Sequence, residues 1–226
     1  MKRVVLCVCC LLIWASEARS QTVTDKRVWA GVTMQGSVRS GSPWRWTFES
    51  FVRSREGVRE VDVIGLRPTL IYAIDTHSSV GAGYALAPSF PEGGGTTFER
   101  RAYGQYIWTG SAAGATLTLR TRVEARFIPG NSGTLGRVRQ QTRFSRPIHA
   151  GSKVALLAYD EWFVHLNNTS RSPRGFDQNR AFGGLAVTIA SPARLDIGYL
   201  NQFYPGHRGA ASRMNHVLSC TLALSF

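Results

Sequence analysis

The sequence predicts an all-β protein, an antiparallel transmembrane β-barrel of roughly 10–12 strands preceded by a cleaved signal peptide. Three observations carry that prediction. The C-terminal stretch 213–226 places Leu218, Cys220, Leu222, Leu224 and Phe226 on one face of an extended chain and Ser219, Thr221, Ala223 and Ser225 on the other. Successive side chains of a strand point to opposite faces, so this period of two marks a strand; a helix would scatter the same residues around its axis. Similar segments of about 9–15 residues recur along the chain. That is long enough for a tilted strand to cross a bilayer, whereas soluble sheets favour strands near five or six residues. The connections between segments alternate short and long, as they do at the two mouths of outer-membrane barrels.

Residues 1–20 read as a secretory signal peptide. Lys2 and Arg3 give a basic start, 4–14 an apolar run too short to span a membrane, and Ala18-Arg19-Ser20 a small-x-small cleavage site. Cleavage before Gln21 leaves 21–226 as a single outer-membrane barrel domain. Cys7, Cys9 and Cys10 go with the leader, so Cys220 remains alone and an internal disulfide is excluded. No later stretch reaches about 18 consecutive apolar residues, which excludes a spanning helix but leaves a barrel open, since alternation dilutes its apolar residues two-fold. The net charge of +13 raises the question of a nucleic-acid partner. Export and the placement of arginines at alternate strand positions, rather than in a patch, argue for no nucleic acid.

Taken in order, segment 27–38 sets Val28, Ala30, Val32 and Met34 against Thr33, Gln35 and Ser37. Segment 44–55 sets Trp44, Trp46 and Phe48 against Arg45, Thr47, Glu49 and Arg53. In 60–74, Ile64, Leu66, Leu70, Tyr72 and Ile74 oppose Arg67, Thr69 and Ala73, and in 79–87 Val80, Ala82, Tyr84 and Leu86 oppose Gly81, Gly83 and Ala85. A Pro- and Gly-rich loop leads to 100–109, where Tyr106 and Trp108 oppose Tyr103 and Gln105. Segment 116–128 is the sharpest, with Leu117, Leu119, Val123 and Phe127 against Thr118, Arg120, Arg122, Glu124 and Arg126. Arg137, Arg139, Gln141 and Arg143 then oppose Val138, Thr142 and Phe144. Segments 153–166, 180–190 and 194–204 precede the terminal one, which makes eleven. Single-chain bacterial barrels have even strand numbers, so the expectation is ten spanning strands from Trp44 onward, with 27–38 as a non-spanning or lumenal extra, or else an unrecognised twelfth.

If the apolar faces meet lipid, the polar faces line a lumen containing Arg45, Arg53, Arg67, Arg120, Arg122, Arg126, Arg137, Arg139, Arg143, Arg180 and Arg194. The acids expected there are Glu49, Glu124, Asp160 and Asp196. Turning these arginines outward would cost about 2–4 kcal/mol each at the bilayer midplane, which forces the parity. Such a lumen is either a structural salt-bridge network, because the planar guanidinium holds carboxylates bidentately, or a narrow basic path that prefers anions. An enzyme is the alternative: an outer-membrane lipid-modifying acyl hydrolase or transferase acting on lipid A or phospholipid. Its candidate catalytic residues are Asp160, Glu161 and His165, with Ser170 or Ser172 in the next loop. Asp160 and Glu161 are adjacent, so strict alternation turns one of them toward lipid unless a bulge or a rim position intervenes. No metal site and no cofactor are expected, because no paired-His or phosphate-loop motif is present.

Several strings together resemble the bacterial domain-of-unknown-function family 2490, a family of proteins with an expected outer-membrane β-barrel: Leu66-Arg-Pro-Thr-Leu-Ile-Tyr72, Arg120-Thr-Arg-Val-Glu-Ala-Arg126, Tyr159-Asp-Glu-Trp-Phe163, Gly175-Phe-Asp-Gln-Asn-Arg180 and Leu195-Asp-Ile-Gly-Tyr-Leu-Asn-Gln202. The resemblance covers essentially all of the mature chain and implies location and fold without an activity. The expected location is the outer membrane of a Gram-negative-type bacterium. The expected partners are outer-membrane lipids and lipopolysaccharide, and the barrel-assembly machinery acting through Leu222, Leu224 and Phe226.

Overall fold

A computed structural model describes residues 22–207 and 209–226; the signal peptide expected over 1–20 lies outside them. The described residues form eleven strands: β1 (Thr22–Ser37), β2 (Trp44–Arg55), β3 (Glu60–Ala73), β4 (Ser78–Ser89), β5 (Thr97–Ala112), β6 (Ala115–Phe127), β7 (Leu135–Pro147), β8 (Val154–His165), β9 (Gly175–Ala190), β10 (Ala193–Tyr204) and β11 (Ser212–Ser225). They close into one barrel in chain order. Closure pairs every strand on both sides and removes the unpaired edges that would otherwise be exposed.

Every neighbouring pair is antiparallel except the last. β1 runs parallel to β11, from Thr22 opposite Ser212 to Gln35 opposite Ser225. The odd number dictates this, since strands that reverse direction at each step leave the first and the eleventh pointing the same way. β1 is therefore a full strand of the wall, not the extra segment beside ten spanning strands that even-number counting suggests. Its start lies at the mouth with the longer connections 90–96, 128–134, 166–174 and 205–211, while Phe226 lies at the opposite mouth with the shorter ones.

The short-turn mouth shows why these turns form. Ala113 and Gly114 both take positive φ (51° and 75°), the geometry of a two-residue type I′ hairpin, and they join β5 directly to β6. At the β3–β4 turn the Asp75 carboxylate accepts the backbone N–H groups of His77 and Ser78, each at 2.7 Å. These bonds hold its pKa below the usual carboxylate value.

The distribution of side chains inverts that of a soluble domain. Leu66, Leu70, Tyr72, Val80, Leu86, Val123 and Leu218 point outward and are each at least 39% exposed. The interior instead holds buried Arg122, Glu124, Arg137, Arg139, Glu161, Gln178, Gln202 and Asn215. A small apolar cluster of Trp29, Leu157, Phe182, Ala186, Leu200 and Val217 fills one inner wall. Contiguous apolar surface on this scale marks a face that meets something other than water.

Aromatic rings gather at the short-turn mouth. Trp44 meets Tyr72 edge-on at 5.0 Å, and Trp46 stacks on Phe226 at 6.5 Å. Phe226 is 71% exposed, and its backbone N–H donates to the Gln35 carbonyl at 2.9 Å, so the last residue seals the β1–β11 seam. Leu222 and Leu224 stand above it on the outer face of β11. Deleting Phe226, or the change Phe226→Asp, should lower the amount of assembled barrel several-fold. Quantifying the heat-shifted band in membranes checks this.

Two glycines set the closest backbone approach in the wall. Gly198 stands opposite Gly184, and a Cβ on Gly198 would meet the Gly183 carbonyl oxygen at 2.4 Å and Gly184 Cα at 2.6 Å. Both contacts are with backbone, which cannot rotate away. Gly198→Ala should therefore destabilise the barrel by about 1–3 kcal/mol, read as a lowered urea midpoint.

Candidate functional site

The interior is built from alternate residues of strands that each bring arginine inward. β6 pairs with β7 so that Arg122 stands opposite Arg139 and Glu124 opposite Arg137. Like charges across a ladder repel, and the interior resolves that repulsion by shared carboxylates. Glu124 accepts from Arg137 Nε (2.9 Å) and Nη2 (2.6 Å) and from Arg139 Nη1 (2.9 Å). Glu161 accepts from Arg139 Nη2 (2.7 Å) and Arg120 Nη2 (3.1 Å), with Arg180 at 3.9 Å. Arg139 thus joins two acids, and each acid joins at least two arginines.

The network extends toward both mouths. Toward the short turns, Arg67 donates to Glu49 at 2.9 Å, and Asp196 receives Arg143 and Arg194, each at 2.9 Å. The Arg143–Asp196 bond links β7 to β10, which are not neighbours in the wall, so it crosses the interior. Arg45 sits exposed at this mouth beside Thr47 and Ile71. Toward the long loops, Glu99 receives Arg101 and Arg126, and Asp177 meets Arg137 and His165, both at 3.3 Å. The interior arginines outnumber the carboxylates, and the remainder are held by neutral partners. Arg122 donates to Gln105 Oε1 at 3.0 and 2.6 Å and lies 4.2 Å from the Tyr103 ring centre.

Arginines also stack on buried rings. Phe163, 1% exposed, has Arg137, Arg139 and Arg180 at 5.1, 4.7 and 4.6 Å from its centre. Trp29 lies between Arg53 (4.1 Å) and Arg180 (5.0 Å). A guanidinium over an aromatic face is attracted by the ring quadrupole, and more strongly where water is excluded. This layer narrows the interior to a space of about 160 Å³ lined by Trp29, Arg53, Arg139 and Arg180. Below it, toward the short turns, a cavity of about 410 Å³ is lined by Thr47, Gln105, Thr118, Arg120, Arg122 and Arg143. Above it lies a cavity of about 230 Å³ among Arg53, Arg101, Arg126 and Tyr204.

The three candidate catalytic residues are not brought together. Glu161 points inward and is bound to arginines, and His165, also inward, donates from Nδ1 to the Pro173 carbonyl (3.1 Å) beside Asp177. Asp160 does not join the interior acids. It faces outward, where Asn179 Nδ2 donates to it at 2.7 Å and Trp162 Nε1 also donates. The adjacent pair therefore splits by simple alternation: Glu161 stands opposite Gln141 and Asp160 opposite Thr142, with no irregularity between them. The bulge lies further on, where Phe163 pairs with Gln178 but Val164 with Phe176. It leaves Asp177 as the extra residue and turns its carboxylate inward. Ser170 is engaged away from His165, with Asn131 and Ser132. Among the described residues no group of three His, Cys, Asp or Glu could hold a metal ion.

Sequence reading missed Glu99, Arg101, Asp177 and Trp29 as interior residues. The first two were legible, because Glu99-x-Arg101-x-Tyr103-x-Gln105 shares one parity. Asp177 was not, because its inward turn depends on the bulge.

Fold and interior together define a closed eleven-strand β-barrel with an apolar outside and a salt-bridged, arginine-rich inside. The chain belongs to the family of proteins of unknown function DUF2490, whose profile matches residues 26–213. It is 29% identical to an uncharacterised protein of Methylorubrum extorquens, over 99% of this chain and 98% of that one. No solved structure matches it.

Proposed function

We propose that this protein is an exported outer-membrane β-barrel whose arginine-rich interior serves chiefly as a structural core, with at most a narrow, anion-preferring path through it. The observation that carries this reading is Arg139, 5% exposed and held between Glu124 and Glu161 inside a wall whose other face is apolar. Charges are retained inside because the outward alternative is lipid, where each arginine would cost about 2–4 kcal/mol at the midplane. Excess arginine over carboxylate favours anions in whatever space remains. Outer-membrane lipids and lipopolysaccharide are then the natural surroundings of the outer face, and the assembly machinery engages the β11 strand ending in Phe226. Cell fractionation with unboiled and boiled gels tests the reading. The barrel should pellet with outer membranes and change mobility on boiling; recovery as a soluble periplasmic protein would sink it.

A further inference from the structure

Polar side chains interrupt the largely apolar outer face in a cluster of Tyr199, Asn201 and His216 on β10 and β11 and in a second patch at mid-height. Thr121, Gln140, Trp162 and Asn179 form a single register row across β6, β7, β8 and β9, with Asp160 two residues from Trp162. Thr121 is the middle residue of the thirteen in β6, and Asp160 is the seventh of twelve in β8. Above and below, the same strands present Val123, Leu156, Phe144 and Leu185, all at least 39% exposed. On the membrane reading proposed above, on which this inference rests, a carboxylate and two amides therefore stand at the level of the hydrocarbon, away from any headgroup. Polar groups there need partners within protein.

The patch meets part of that need itself. Thr121 Oγ1 donates to Gln140 Oε1 at 2.5 Å, while Asn179 and Trp162 each donate to Asp160. Capacity remains on both sides. Each Asp160 oxygen takes one of these bonds and keeps a lone pair, and Gln140 Nε2 makes only a 3.3 Å bond, to the Gln141 carbonyl. The unspent donor and the unspent acceptors stand on adjacent strands, two positions apart on the β7–β8 ladder. In strands tilted by about 35–45° that offset brings them to nearly the same height. Around them Ala158, Ala181 and Gly183 leave a shallow depression: each is exposed, and nothing lies within 4 Å of where a Gly183 Cβ would be. Trp162 stands beside it as a ridge, 57% exposed.

We infer that this face is the contact between two copies of the chain. A twofold axis parallel to the barrel axis, passing between β7 and β8, sets Gln140 of one copy against Asp160 of the other, and the symmetry makes the bond twice. An isologous contact needs a self-complementary surface, and a donor and an acceptor placed either side of the axis at one height supply it. Small residues beside the axis let two membrane walls approach closely. A lipid headgroup does not reach this depth, and a different protein partner would have no reason to find donor and acceptor so paired.

The test is the mass of the barrel extracted in mild detergent, measured by light scattering, for the full chain and for Gln140→Leu/Asp160→Leu. The unmodified protein should be a dimer. The double variant should be a folded monomer, its dimer weakened roughly tenfold or more, while the boiling-dependent gel shift is unchanged. As a second measurement, cells making two tagged copies, one Gln140→Cys and one Asp160→Cys, each with Cys220→Ser, should give a mixed cross-link with a short bis-maleimide. A monomeric unmodified protein, a double variant that stays dimeric, or cross-linking to another protein only would each overturn the inference. Recovery of the unmodified protein in the soluble fraction would instead remove the membrane reading beneath it, and the gel shift distinguishes that failure from the others.

Discussion

Glu124→Ala should destabilise the barrel by about 3–5 kcal/mol, the range seen when one partner of a buried ion pair is removed. Glu124 is 2% exposed and accepts three guanidinium hydrogen bonds, two from Arg137 and one from Arg139. Without it, Arg137 retains Asp177 at 3.3 Å and Arg139 retains Glu161 at 2.7 Å. Two cations then share a water-poor space with Arg101, Arg122 and Arg126 nearby and one acid fewer. The loss arises mainly from stranded charge, so Glu124→Gln should cost less than Glu124→Ala. Glu124→Leu with Arg137→Leu, which removes both partners, should also cost less than Glu124→Ala alone. Urea titration of the barrel in lipid vesicles, followed by the gel mobility shift, gives the ordering. Equal stability of Glu124→Ala and the unmodified protein would mean that water solvates these arginines, and the filled-interior reading would fall.

In planar bilayers the unmodified barrel should show no more than a small conductance, with anions preferred. The layer of Trp29, Phe163 and the arginines stacked on them narrows the interior to a space of about 160 Å³, and Leu200, Gln202 and Val217 in the same interior are each 1% exposed or less. Charge at the mouths focuses the field that an entering ion meets. Arg45 is exposed, and the Arg194 side chain is 46% exposed, at the short-turn mouth. Arg45→Glu/Arg194→Glu should therefore turn whatever preference exists from anions to cations while the fold is kept, since neither side chain belongs to the buried layer and Asp196 keeps Arg143. A large, cation-selective pore from the unmodified protein would be incompatible with the inward arginines.

The local pattern decided a great deal by itself. Period-two alternation in β6, with Leu117, Leu119, Val123 and Phe127 against Arg120, Arg122, Glu124 and Arg126, specifies a strand and its two faces from neighbouring residues alone, because side-chain direction along an extended chain is a local property. The same holds for β3, β4 and β11, and for the segment lengths that favour a closed sheet over a helical fold. The family resemblance was legible for the same reason, being carried by short strings of sequence.

What needed the tertiary structure was everything set by closure and pairing. The parallel β1–β11 seam follows from the number of strands and appears in no single segment. Which acid serves which arginine depends on register across β6, β7 and β8, and in the Arg143–Asp196 bond on the distance across the barrel. The bulge after Phe163 depends on how β8 meets β9, and it alone turns Asp177 inward. Asp160 and Glu161 look equivalent as a sequence pair. The closed wall separates them by one alternation, placing Glu161 among arginines in the interior and Asp160 on the outer face, because a sheet curled on itself has an inside and an outside that only the complete circuit of strands defines.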